Sequence, residues 1–274
     1  MKHVEEICPW GTADETGIIR GAVADDPLFD PSDRRAGAVI PTAGAMVVTH
    51  NRDTYAPTAM DQRRSNGCVS GSGGYVHAYT EAKARRIMPA PRSFLFGWYY
   101  ARPRTDRKSN VGCQLRDFWT VARTLGLPSE DAWPSDRDGA DLLARASLEP
   151  SPESLEEAAR WQTTQDLVIA DKDTQGIASA LMAGHVVHTS RPVYESFYDV
   201  GPDGIVPRAL GRQIGWHAEA WWDIDIINGR AYAVVCGTYG TGFGKLGWYY
   251  LDLLAFGPYT ADTHVAIAGE LPTS

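Results

Sequence analysis

A chain of 274 residues, 43% hydrophobic, 22% charged and 10% aromatic, carries enough apolar material for one large globular unit or two small lobes sharing an interface. Its formal net charge of −8 argues against a surface for nucleic acid or anionic membrane, and no apolar run approaches the roughly 18 residues of a membrane span. Four scattered cysteines (Cys8, Cys68, Cys113, Cys236) without CxxC spacing, and no apolar signal core in residues 1–6, indicate neither a zinc site nor a disulfide framework and point to a cytoplasmic setting.

Residues 1–54 are irregular, punctuated by Asp26-Pro27, Asp30-Pro31 and Gly37, with one strand-like run at 45–49. They are expected to form an N-terminal extension packed on the body, or a short leader. Residues 61–67 are turn-rich. A single cysteine follows, then small residues that run into a helix ending near Arg85 and Arg86. A cysteine where a helix begins sits at the positive end of the dipole, which favours the thiolate, the nucleophilic form. Gln62, six residues upstream, can turn its side-chain NH2 toward the same point and donate to an oxyanion. A cysteine between Gly67 and Val69 is otherwise an ordinary small buried hydrophobe, so the nucleophile reading requires a histidine.

Apolar positions 94, 95, 98 and 99 fit one face of a short helix, and residues 102–110 form a basic loop expected to be solvated. Residues 115–125 have helical spacing and stop at Gly126; a bounded turn covers 127–134. The polar stretch 135–152 is where a crossover between lobes is expected. Ser151-Pro152-Glu153 carries the start signals of a helix, and another short helix runs over 173–184 to close on glycine. Strands are then predicted at 186–189, 216–227, 230–235 and 248–251, with Asn228-Gly229 as a two-residue hairpin turn. Helices in the first half and antiparallel strands in the second make the chain α+β.

Of the seven histidines, His217 stands out because Gly215-Trp216-His217 opens a strand. His185 and His188, three apart on a strand, face opposite sides, which argues against a shared metal. Gly242 to Gly247 satisfies GxGxxG literally, but a strand follows and no βαβ unit precedes, so nucleotide binding is not expected. No serine has the GxSxG setting of a hydrolase.

The order Gln62, five residues, Cys68, helix resembles the active-site signature of papain-like cysteine peptidases. Residues 93–102, Gly112, 115–125 and 126–134 are similar to blocks of bacterial members, and Gly215-Trp216-His217-Ala218 resembles the family's Gly-His-Ala-Val block. The resemblance spans residues 55–270. It implies a papain-like two-lobed fold, with a helical left lobe (55–150) carrying the nucleophile and an antiparallel, β-barrel-like right lobe (151–274) carrying the histidine. It further implies acyl transfer on a peptide or protein substrate, with no metal or cofactor. Cys68 would attack, Gln62 and the Cys68 N–H would hold the oxyanion, and His217 would carry the proton.

The family's Asn-Ser-Trp-Gly block is matched by Gly237-Thr238-Tyr239-Gly240, so glycine stands where the histidine-orienting asparagine is expected. Three consequences stay open. A backbone carbonyl or water holds His217 in a Cys–His dyad; Glu219 or Thr238 substitutes as third member; or the protein is a catalytically silent papain-fold binder of peptide or partner. An amidase or acyl transferase acting on a non-protein amide is a further alternative. Neither side-chain preference nor oligomeric state is legible.

Overall fold

The computed structural model describes residues 19–20, 46–135, 141–163 and 165–268. The helix Cys68–Arg85 runs through the middle of the first half, with its residues buried nearly all round from Cys68 to Ala82. Its Gly, Ser and Ala content follows from that enclosure. A Cβ at Gly73 would lie 2.3 Å from the Phe118 ring, so only glycine lets the helix Leu115–Thr124 pack this closely. Lys83 and Arg85 occupy the last turn, complementing the dipole, and Arg86 ends the helix in the left-handed conformation.

The helix Phe94–Ala101 is capped by Ser93, whose hydroxyl accepts from Phe96 N at 3.2 Å. Leu115–Thr124 stops where Gly126 adopts φ +81, and a side chain there would strike Ala158 O at 1.9 Å. Pro152–Ala158 starts on the Ser151 cap with proline in its first turn, and Thr174–Met182 starts on Asp173. The 102–110 segment differs from the solvated loop expected. Arg102 is buried, stacked over Trp98 at 4.2 Å and donating to Ser109 O at 2.7 Å, so the loop is anchored to the core.

The strands are β1 (Ile19–Arg20), β2 (Gln165–Ile169), β3 (Val187–Tyr194), β4 (Gln213–Ile227), β5 (Arg230–Cys236), β6 (Trp248–Asp252) and β7 (Ala261–Ile267). They form one sheet in the order β2-β7-β3-β4-β5-β6, antiparallel throughout, with β1 alongside β4 in parallel. Asn228 and Gly229, both at positive φ, make the β4–β5 turn as expected. The glycine run after β5 makes a second tight reversal. Lys245 and Trp248 exchange both backbone hydrogen bonds across Leu246-Gly247, leading into β6.

The β-barrel-like right lobe is corrected: the sheet is open, with β2 and β6 as its two edges. The β6 edge is covered by the chain at 204–206, where Tyr250 N donates to Gly204 O at 2.8 Å and Val206 N to Tyr250 O at 3.0 Å. That pairing satisfies the backbone groups which barrel closure would otherwise satisfy. The strand-like run at 45–49 is also corrected. From Met46 the chain is irregular, fastened to β4 by Thr49 N to Ile224 O at 3.0 Å and by Thr49 Oγ1 to Asp223. Residues 1–18 and 21–45, most of the expected extension, lie outside the described residues.

Strand β4 separates two cores. Ala218, Ala220 and Trp222 pack with the helical cluster around Val69, Phe94, Trp98 and Phe118. Trp221 and Ile224 pack on the other side with Leu167, Leu181, Phe197, Tyr249 and Leu251. The alternation from Ala218 to Trp222 is that of a central strand buried on both faces, shifted at the bulge between Trp221 and Asp223 so that Ile224 joins the second core. It brings one strand face to the mouth of the central helix.

Candidate active site

Cys68 is the first residue of its helix, behind Gly67, where a side chain would meet the Phe94 ring at 2.2 Å. The sulfur is fully buried and accepts from Ala218 N at 3.5 Å, so β4 touches it at the residue next to His217. The His217 ring is 4% exposed and lies over Tyr239, centroids 4.7 Å apart and planes at 31°. Its Nε2 is buried and, among the described residues, has no hydrogen-bond partner.

Gln62 is buried beside the helix start. Its Oε1 accepts from Thr238 Oγ1 at 2.5 Å, and its Nε2 donates to Ser65 O at 2.7 Å. These two bonds fix the carboxamide orientation and leave one N–H of the amide for another acceptor. The Thr238 hydroxyl therefore serves Gln62. Glu219 lies on the His217 face of β4, and both its oxygens are engaged. Arg191 donates from Nε at 3.0 Å and Nη2 at 2.7 Å, Trp221 from Nε1 at 3.0 Å, and Tyr249 from its hydroxyl at 2.7 Å. A Cβ at Gly237 would meet the Tyr249 ring at 2.7 Å, so the tyrosine fills the space a side chain at 237 would enter.

Solved structures share this chain path. Xylellain, a cysteine protease from Xylella fastidiosa, matches with a TM-score of 0.75 at 19% identity, over 91% of this chain and 96% of that one. The chain has the papain-like fold. Digestive procathepsin L 3 of Tenebrio molitor larval midgut gives 0.63 at 14% identity, over 96% of this chain and 77% of that one. The bromelain protease from Ananas comosus, in complex with the E64 inhibitor, gives 0.63 at 12%, over 81% and 99%. No protein-family model and no curated protein matches the sequence, and at these identities the likeness is one of fold.

Within this papain-like fold three other described histidines are occupied elsewhere. His77 Nε2 meets Trp161 O at 2.8 Å, and His188 Nε2 meets Ser72 Oγ at 2.9 Å. His264 lies between Asp166 and Asp262, at 2.8 and 2.7 Å. Among the described residues no three His, Cys, Asp or Glu side chains gather as a metal site requires.

Burial dominates the electrostatics. It pushes the Cys68 thiol up to about 12, against the backbone N–H of Ala218. It pulls the His217 imidazole down to about 4, with Glu219 raising and Arg191 lowering its proton affinity. Each charge alone is disfavoured here. At neutral pH the thiol therefore rests protonated and the imidazole neutral.

Burial also holds His77 and His188 down to about 3. A lowered folded pKa means that the unfolded chain binds the proton first, so stability falls as pH drops below about 6.5. From pH 7.5 to 5.5 His77, His188 and His217 together are expected to cost on the order of 4 kcal/mol. Urea unfolding at the two pH values checks this, and equal stability would contradict it.

Arg191 and Tyr249 were not legible as site residues. Arg191 lies inside β3, where Val187 to Val193 are all buried, so its charge demands a buried partner, but its polar neighbours His188, Thr189 and Ser190 hide that in the sequence.

Proposed function

We propose that the protein is a cysteine peptidase of the papain type, using Cys68 and His217. One observation carries this reading: the nucleophile at the mouth of the buried helix accepts a hydrogen bond from Ala218, the neighbour of His217 on β4. Cys68 passes its proton to His217, and the thiolate attacks a peptide carbonyl carbon. The free Gln62 N–H and the Cys68 backbone N–H stabilise the oxyanion. His217 protonates the leaving amine as the tetrahedral adduct collapses to a thioester. It then takes a proton from water, whose oxygen attacks the thioester and releases the acid and the thiol.

No side chain hydrogen-bonds His217 Nε2, so the imidazole is oriented by stacking on Tyr239 and by the charge of Glu219. Glu219 acts at a distance, its own oxygens held by Arg191, Trp221 and Tyr249. Thr238 acts through Gln62. The unpartnered Nε2 favours one second reading, a papain-fold protein that binds peptide without cleaving it.

An epoxide-type thiol reagent followed by peptide mapping separates the two. All three thiols are buried, and the peptidase labels at Cys68 well ahead of Cys113 and Cys236 because the proposed base His217 activates Cys68 alone. Equal labelling of all three in native protein would argue for the binder.

A further inference from the structure

The two proposed oxyanion donors, Gln62 Nε2 and Cys68 N, sit at opposite ends of an irregular segment that includes Arg63 at φ +53. Their spacing is set by whatever holds that segment. The Gln62 end is fixed on the far strand side, where Gln62 N donates to Thr238 O at 2.8 Å and Oε1 takes the Thr238 hydroxyl. Ser65 closes a local turn onto Gln62, through Oγ to Gln62 O at 2.7 Å.

The Cys68 end is fixed by one carboxamide from the 102–114 loop. Asn110 Oδ1 accepts from Asn66 N at 2.8 Å, and Asn110 Nδ2 donates to Arg64 O at 2.9 Å. Asn66 answers with Nδ2 to Asn110 O at 2.7 Å. The loop bearing Asn110 is itself pinned on both sides. Arg102 Nη1 donates to Ser109 O at 2.7 Å, and Trp98 Nε1 donates to Val111 O at 3.0 Å. Arg102, buried and stacked on Trp98, also reaches Ala146 O at 2.5 Å. An unbroken chain of bonds thus runs from the helix Phe94–Ala101 through Asn110 to the residues just before the nucleophile.

We infer that Asn110 is a positioning residue for the oxyanion site, holding Arg64 and Asn66 so that the Gln62 and Cys68 donors converge on one point. This rests on the peptidase reading. Asn110 acts through the segment between the two donors, by its bonds to Arg64 and Asn66. Donor placement of this kind matters because displacement by about 1 Å costs on the order of 100-fold in rate.

The test uses the full chain with Asn110→Ala and Asn110→Asp. Asp keeps the acceptor for Asn66 N and loses the donor to Arg64 O. Three readouts are compared with wild type: kcat and KM on a fluorogenic peptide amide, inhibition by a peptide aldehyde, and alkylation of Cys68 by iodoacetamide. The aldehyde adduct puts an oxygen where the oxyanion forms, whereas iodoacetamide develops no oxyanion.

Asn110→Ala is expected to lower kcat about 10- to 100-fold with little change in KM, and to weaken the aldehyde by the same factor. Its alkylation rate stays within about threefold of wild type, and Asn110→Asp falls between the two on the first pair of readouts. Unchanged kcat and aldehyde affinity would overturn the inference. So would alkylation falling in parallel with kcat, which is the mark of a general structural role. Should Asn110→Ala not fold, the aldehyde-to-alkylation ratio of Asn110→Asp decides by the same criterion. A wild type without thiol-dependent turnover removes the peptidase reading and this inference with it, whereas an active wild type matched by both variants removes the inference alone.

Discussion

Replacement of His217 by alanine is expected to lower kcat on peptide amides by about 10^3- to 10^6-fold while leaving the protein folded. The size of the loss follows from the ring's part in both half-reactions, for which His77, His188 and His264 offer no substitute. His77, His188 and His264 each face other partners, and His77 and His188 are held in the neutral form by burial. The retained fold follows from the environment of the ring. Its Nε2 is already buried without a partner, so the variant loses no hydrogen bond there and removes a desolvated polar atom. Against that stands the lost stacking on Tyr239, worth about 0.5–1.5 kcal/mol. Turnover and thermal unfolding measured on the same preparation check both halves. A variant that retains a tenth or more of the activity would contradict the assigned role.

The second large effect concerns Arg191 and Glu219. Their side chains are 1% and 0% exposed and joined by two hydrogen bonds, with Tyr249 and Trp221 completing the carboxylate shell. Removing one partner leaves the other charge buried and unpaired. Arg191→Met and Glu219→Gln are each expected to destabilise by about 3–5 kcal/mol. Arg191→Met/Glu219→Gln together should cost clearly less than the sum of the two, because the orphaned charge is then gone. Urea unfolding of the four proteins measures the coupling. Single variants within about 1 kcal/mol of wild type, or strictly additive losses, would contradict a paired role. Glu219→Gln carries a second consequence at the site. The carboxylate raises the proton affinity of His217 and Arg191 lowers it, so removing the carboxylate lowers that affinity further. An imidazole harder to protonate is a poorer acceptor for the Cys68 proton.

Local signals in the sequence foretold the elements they act on. Ser151 caps the helix that follows it, Gly126 ends one, and Asn228-Gly229 turns β4 into β5. Strands β2 and β7 went unread, because Gln165–Ile169 is short and Ala261–Ile267 sits in an apparent tail. β7 lies between β2 and β3, an order that no neighbouring residue encodes. The open sheet escaped notice for the same reason, since its outer edge is satisfied by residues 204–206. At the site, Cys68 and His217 were each marked by their own flanking residues. What surrounds them was not. Thr238 borders the glycine at 237, yet its hydroxyl turns to Gln62, and Glu219 is claimed by Arg191 from the facing strand. Asn110 sat in a loop that reads as solvated because its charges mask a buried arginine. Partners brought together across 28 to 176 residues follow from topology, not from spacing.

Digestion of a mixed peptide library by wild type and by Cys68→Ala, with products read by mass spectrometry, tests most directly whether this sulfur performs acyl transfer. Cleavage products from the wild type and none from an equally folded Cys68→Ala are predicted. Identical product profiles from the two proteins, whether empty or not, would contradict a thiol peptidase centred on Cys68.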